Sequence, residues 1–202
     1  MHQFKVMHQH FKIYKPYGYL SQFINNGQKQ HRKKLLGELG EFPEGTMSIG
    51  RLDEKSEGLL LLTTDGKMSD FVNSSKVDKE YYAQVDGDIT EAAIKALQNG
   101  VEIGLNGTKY TTKPCPAFKL DEVPNLPERW KKLRDERHGP TSWVSIILNE
   151  GKFRQVRKMT SAVGYPTLRL VRVRVGTIYL DDLQPGDYLE LLDIKRELNL
   201  DA

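Results

Sequence analysis

"GRLDEKSEGLLLLTTDG", residues 50–66, sets a charged turn directly against four consecutive leucines. The preceding "MSIGRL" (47–52) is strand-like, "DEKSEG" (53–58) is a polar turn closed by Gly58, and "LLLLTT" (59–64) is an unbroken apolar run too short for a typical helix. A run of that kind suits a strand buried on both faces. The unit predicted is strand, turn, strand, with Asp53 at the junction where a rigid scaffold can hold a side chain in a cleft. Two readings of Asp53 stay open on these residues alone. Its carboxylate organises the turn by accepting backbone N–H groups, or it is a nucleophile kept ionised by a nearby cation, supplied by Arg51 or by the basic segment from Lys152 to Lys158.

Working outward, "FKIYKPYGYLSQF" (11–23) predicts a short strand entering a Pro-Gly turn. "DGKMSDFVNS" (65–74) predicts a turn and a short helix, and "KEYYAQV" (79–85) an aromatic strand. "ITEAAIKALQNG" (89–100) has Thr90 as N-cap, Ile94 and Leu97 on one face and Gly100 as its stop. "VEI" and "KYTTKPCPAFKL" (109–120) are expected in the same sheet system, and 121–140 is expected to be a long surface loop. "TSWVSIILNEG" (141–151) predicts a strand, and "KFRQVRKMTSAVG" (152–164) a helix with Phe153, Val156, Met159 and Val163 near one face. In "LVRVRVG" (170–176) valines alternate with Arg172 and Arg174, which predicts one buried and one cationic sheet face. "LQPGDYLEL" (183–191) is a turn and a closing strand. No βαβ rhythm and no internal repeat is present, so the fold class is α+β with a largely antiparallel or mixed sheet.

The chain has 202 residues, 38% hydrophobic and 28% charged, within the globular range, and a net charge of only +3. The distribution of charge says more. Basic residues gather at Lys29–Lys34, Glu128–His138, Gly151–Lys158 and Arg169–Arg174, a pattern that favours a phosphate backbone as partner. The lone Cys115 excludes an internal disulfide and a cysteine-rich metal site, and fits a reducing, cytoplasmic setting. No apolar run reaches membrane-span length, so no membrane partner is expected. His2, His8 and His10 are read as a flexible terminus (1–10) rather than a metal site.

No GxGxxG, GxxxxGK[ST], HExxH or GxSxG is present, so nucleotide, zinc-protease and esterase readings lose their usual support. What the sequence does resemble is the signature G-R-L-D-x-x-[ST]-x-G-L-L-L-L-T-x-D-G of pseudouridine synthases in the RsuA/RluB/E/F branch. "KPYG" (15–18), "KEY" (79–81), "EGKFRQVRKM" (150–159) and "VGYPTLRLVRVRVG" (163–176) fit the same branch in the right order. The match spans nearly the whole chain, and within the branch it is closest to large-subunit ribosomal RNA members that lack an N-terminal S4-like domain.

The resemblance implies one catalytic domain over 1–202, with a central sheet in two halves, a catalytic cleft between them and flanking helices. It implies isomerisation of a specific uridine in 23S ribosomal RNA. Asp53 would be the nucleophile, attacking the uracil ring or the ribose C1′ of a uridine flipped from its stack. Tyr81 would stack on the uracil, and Arg157 would pair with the aspartate. Lys15, Arg51, Lys79, Lys152, Arg154, Lys158, Arg169, Arg172 and Arg174 would contact RNA. No metal, nucleotide or other cofactor is implied, and nothing demands more than a monomer. Two departures from the pattern, Tyr14 for a frequent asparagine and Ser56 for a frequent threonine, touch no catalytic role. Other classes remain: a non-catalytic RNA-binding or ribosome-assembly protein, a synthase acting on another RNA, and a hydrolase pairing Asp53 with Glu54 or Glu57.

Overall fold

Four leucines in a row form a strand here because each face of that strand has its own core to fill. The computed structural model describes residues 7–25, 33–75, 77–131, 133 and 138–200. In chain order the strands are β1 (His10–Lys15), β2 (Tyr19–Leu20), β3 (Lys34–Leu35), β4 (Met47–Ile49) and β5 (Glu57–Thr63), then helix α1 (Gly66–Ser74) and β6 (Lys79–Asp86). Helix α2 (Glu91–Asn99) leads to β7 (Glu102–Leu105), β8 (Thr108–Thr111), β9 (Ala117–Lys119) and β10 (Thr141–Leu148). Helix α3 (Gln155–Ala162) is followed by β11 (Thr167–Val175), β12 (Ile178–Tyr179), β13 (Tyr188–Leu191) and the short α4 (Ile194–Glu197).

Every residue of β5 is buried. Leu59 and Leu61 pack with Val72 of α1, Val171 of β11 and Ile194 of α4, while Leu60 and Leu62 pack with Phe11, Ile13 and Leu36 on the opposite side. Successive side chains of a strand point to opposite faces, so only an unbroken apolar run satisfies both cores. At about 1.5–3 kcal/mol for each buried leucine, this strand is a principal source of stability.

The main sheet runs β13-β1-β5-β11-β6-β10-β9, with β4 added to β5 and β12 to β11. Most neighbours on this path are antiparallel. The exception is β5 with β11, a parallel contact in which Val171 lies opposite Glu57 and Arg172 opposite Gly58. This brief parallel junction divides the sheet into the two expected halves. Gly58 makes the junction possible: it has φ +100°, and a Cβ there would lie 2.3 Å from the Arg172 carbonyl oxygen. A third core, on the far half, joins Ala83 and Val85 of β6 to Ile94 and Leu97 of α2 and Val156 and Met159 of α3.

The helix ends follow the sequence chemistry. Asp65 accepts from the Lys67 amide at the start of α1, and Thr90 from the Ala93 amide at the start of α2. The described residues between Leu120 and Thr141 form no strand or α-helix, as a loop there requires. Four expectations change. β7 and β8 pair only with each other, as a separate hairpin, and only β9 joins the main sheet. Helix α3 starts at Gln155, so Phe153 precedes it and is 66% exposed rather than in the core. Within the expected flexible terminus, the Gln9 backbone accepts from the Thr64 amide, and His10 is buried in β1 against the Thr63 hydroxyl at 2.9 Å. The remainder of the expected flexible terminus, 1–6, lies outside the described residues. Finally, the expected cationic face of β11 is taken up internally: Arg172 is buried and Arg174 is paired with Glu80.

Candidate active site

Asp53 opens the turn that leads into β5, at the edge of the parallel junction. The turn is held carbonyl by carbonyl. The Leu52 oxygen accepts from the Ser21 hydroxyl at 2.7 Å, and the Leu52 amide donates back to it at 2.9 Å. The Asp53 oxygen accepts from the Ser56 amide, and the Glu54 oxygen from the Gly18 amide. The Lys55 oxygen accepts from an Arg157 terminal nitrogen at 2.8 Å, which also lies 3.4 Å from the Ser56 hydroxyl. Besides its own Asp53–Ser56 bond, the turn is tied to two separate parts of the chain, residues 18–21 and helix α3, so the Asp53 side chain has a fixed origin.

The carboxylate faces a cavity of about 280 Å³ at the boundary between the sheet halves. Arg51, Asp53 and Ser56 enter from the turn, Tyr81 from β6, and Lys152, Phe153 and Arg154 from the loop before α3, against an apolar wall of Leu148, Val156 and Leu170. Asp53 is 25% exposed, and its ion-pair partner is Arg154, at 3.6 Å. Arg154 holds φ +53° and ψ +35°, the left-handed conformation that costs a non-glycine residue about 1–3 kcal/mol. Buried Gln155 enforces it: its side chain accepts from the Lys152 amide at 3.0 Å and donates to Glu150 at 2.6 Å. Burial tends to raise the Glu150 carboxyl, but Tyr110, the Lys113 amide and Gln155 all donate to it and together hold it below its ordinary value.

Arg157 does not make the predicted pair with the carboxylate. It is directed at the Lys55 carbonyl and, at 3.3 Å, at the Thr167 carbonyl, so it ties the Asp53 turn to β11. Burial, and secondly the positive charge of Arg154, pull its pKa below the ordinary value, while Asp53 acts in the opposite direction. The substitution comes from one turn of backbone: Arg154, not Arg157, is carried over the cavity by the left-handed residue.

The nine expected RNA contacts divide. Arg51, Lys152 and Arg154 line the cavity, and Lys158 lies 5.3 Å above the Phe153 ring beside it. Lys15 is fully buried, donating to the Pro16, Tyr19 and Glu54 carbonyls, and burial pulls its pKa down to about 7. Arg169 is in a buried ion pair with Glu57 at 3.1 Å, and Arg172 donates to the Leu59 carbonyl at 2.7 Å. Lys79 is bonded to the Val77 carbonyl, and Arg174 is paired with Glu80 at 2.9 Å. Lys15, Arg169 and Arg172 are thus internal ties, not surface cations, because their carbonyl and carboxylate partners replace the water that would otherwise solvate them. Of the other basic segments, residues 29–32, 132 and 134–137 lie outside the described residues.

Neither neighbouring carboxylate is placed to make an acid pair with Asp53. Glu57 is 1% exposed and engaged by Arg169, and Glu54 is bound by Lys33 at 2.8 Å. Ser56, read from sequence as incidental, sits under the Arg157 clamp and lines the cavity. Phe153 was missed as a cavity residue because helical spacing put it on the buried side of α3. Among the described residues no cluster is spaced to hold a metal ion, and no helix is long and apolar enough to cross a membrane.

A family model described as RNA pseudouridylate synthase matches residues 9–162, spanning both the aspartate turn and the whole of α3. The chain is 41% identical over 176 residues to ribosomal large subunit pseudouridine synthase E of Xanthomonas campestris, covering 86% of this chain and 90% of that protein. It is 30% identical over 191 residues to ribosomal large subunit pseudouridine synthase B of Bacillus subtilis, covering 93% and 70%. A crystal structure described as a pseudouridylate synthase superposes with a TM-score of 0.74 at 26% identity, covering 96% of this chain and 73% of that one.

Proposed function

Because the chain belongs to the RNA pseudouridylate synthase family, we propose that it converts a uridine of large-subunit ribosomal RNA to pseudouridine, with Asp53 as nucleophile. The observation that carries this reading is the position of Asp53: on a turn fixed by Ser21, Gly18 and Arg157, paired with Arg154, and open to a cavity that Tyr81 also lines.

The uridine leaves its stack to enter the cavity, since the glycosidic bond is shielded within a helix. Unstacking costs a few kcal/mol, which contacts from Arg51 and Lys152 to the RNA phosphates offset. The Asp53 carboxylate then adds to the uracil ring or to the ribose C1′, and the N1–C1′ bond breaks. The base turns, C5 bonds to C1′, the proton on C5 is lost while N1 takes up one from solvent, and the carboxylate is released unchanged. Tyr81 and the apolar wall flank the base during this rotation, and Arg154, at 3.6 Å, keeps the carboxylate aimed. No electron donor and no activated co-substrate is consumed.

The direct test is tritium release from large-subunit ribosomal RNA labelled at uridine C5, using the native chain beside Asp53→Asn. Release by the native chain and none by the variant is expected. Equal release by both would refute Asp53 as nucleophile, and none from either, on naked and on ribosome-assembled RNA, would refute the isomerase reading.

A further inference from the structure

Outside the catalytic cavity, aromatic and cationic side chains concentrate where the loop from 121 returns to the turn at 16–18. Trp130 donates its indole N–H to the Tyr17 carbonyl at 3.2 Å, and the two rings lie 6.0 Å apart at 65°. Despite this anchoring, Trp130 is 69% exposed. An indole that served only to fasten the loop would gain by burying its ring. Here the N–H is used and the face is left open.

Cations surround these rings. The Arg129 guanidinium is 4.3 Å from the Tyr17 ring centre and the Lys131 ammonium 6.0 Å, and Lys34 lies 5.4 Å from Tyr19 and 5.8 Å from Trp130. A cavity of about 290 Å³ runs between them, with Glu57 and Glu128 also on its lining. Glu57 is already neutralised by Arg169, so Lys34, Arg129 and Lys131 outweigh Glu128.

The same side chains connect the patch to the catalytic turn. Arg169, which pairs with Glu57 at the end of that turn, also donates to the Pro127 carbonyl at 2.7 Å and so fixes the loop. Gly18, next to Tyr17, donates to the Glu54 carbonyl of the turn. The loop and the nucleophile's turn therefore share one rigid support.

We propose that the exposed Trp130, braced edge-on by Tyr17, forms a stacking site for an unpaired nucleobase of the RNA strand flanking the modified uridine. Open aromatic faces bracketed by cations are the means by which proteins hold single-stranded nucleic acid, the bases stacking and the phosphates meeting the charges. A base held there sets which nucleotide of the strand reaches Asp53, so the site reads strand register and single-strandedness. The identity of the RNA rests on the pseudouridylation reading; the stacking itself does not.

The test uses the native chain labelled with 5-fluorotryptophan, whose two fluorine signals belong to exposed Trp130 and to Trp143, which is 7% exposed. The exposed one is identified by its shift between H2O and D2O, so no variant is needed for assignment. Addition of a ten-nucleotide oligouridylate is expected to shift the Trp130 signal and leave Trp143 in place, while an abasic chain of the same length and charge leaves both in place. Trp130→Leu is expected to bind the oligouridylate roughly ten- to hundredfold more weakly, the effect of losing a stacked base. An unmoved Trp130 signal at saturating oligouridylate, or an equal shift with the abasic chain, would overturn the proposal. Neither readout requires turnover, so failure here with Asp53-dependent tritium release intact removes only the stacking site. Failure of tritium release with the shift intact removes only the isomerase reading.

Discussion

Arg157 offers the sharpest test of how the aspartate is positioned. If its importance lay in placing positive charge near Asp53, lysine would serve; if it lies in bridging two carbonyls, lysine would not. One guanidinium nitrogen reaches the Lys55 carbonyl at 2.8 Å and another the Thr167 carbonyl at 3.3 Å. A lysine has one ammonium and cannot bridge both positions with the planar fork of arginine. Charge-assisted hydrogen bonds are worth about 1.5–3 kcal/mol each, and the bond at 3.3 Å belongs at the lower end. Arg157→Gln should therefore cost about 2–4 kcal/mol of stability, and by freeing the Lys55 carbonyl it should let the turn drift. A displacement near 1 Å is enough to lose about a hundredfold in rate. Single-turnover tritium release should give kcat lowered about tenfold to a hundredfold in Arg157→Gln and more than half as far, on a logarithmic scale, in Arg157→Lys, with little change in RNA affinity. Native kcat in Arg157→Lys would refute the bridging argument, and native kcat in both would remove Arg157 from the positioning of Asp53.

Three further outcomes follow from the packing. Gly58→Ala should lose about 2–5 kcal/mol in urea unfolding, from a left-handed backbone and a Cβ 2.3 Å from the Arg172 carbonyl oxygen; a loss under about 0.5 kcal/mol would mean that β5 and β11 separate freely. Arg169→Met should cost about 3–5 kcal/mol by stranding buried Glu57, and adding Glu57→Gln should recover part of it; strictly additive losses would contradict a coupled pair. Lys15, drawn down to about 7 in the folded chain from 10.5, binds fewer protons folded than unfolded between those values, so its burial destabilises most at low pH and is relieved as pH rises. Relative to Lys15→Met, the native chain should gain about 1.4 kcal/mol per pH unit between pH 7.5 and 9.5, and a pH-independent difference would show the ammonium to be held charged.

Much of the architecture was legible in the chain itself. The leucine run could only be a strand with both faces covered, and Leu59–Leu62 divide between two cores as period-two geometry demands. Thr90 announced its helix through a side-chain cap, which acts within three residues and needs no tertiary partner. Asp53 and Tyr81, at matching motif positions, meet at one cavity.

The tertiary structure decided which cations serve the site and which serve the fold. The alternation in "LVRVRV" has the period of a strand with one wet face, but periodicity is blind to what covers that face: here the Leu59 carbonyl, 113 residues before Arg172, and Glu80, 94 before Arg174. Lys15 is likewise internal because carbonyls of its own turn and of the Asp53 turn converge on it. The exchange of Arg157 for Arg154 beside Asp53 depends on a single left-handed residue, enforced by the buried Gln155 side chain. Local sequence sets where strands, caps and turns fall because those depend on neighbours along the chain. Solvation of a charge depends on neighbours in space, and the fold supplies those.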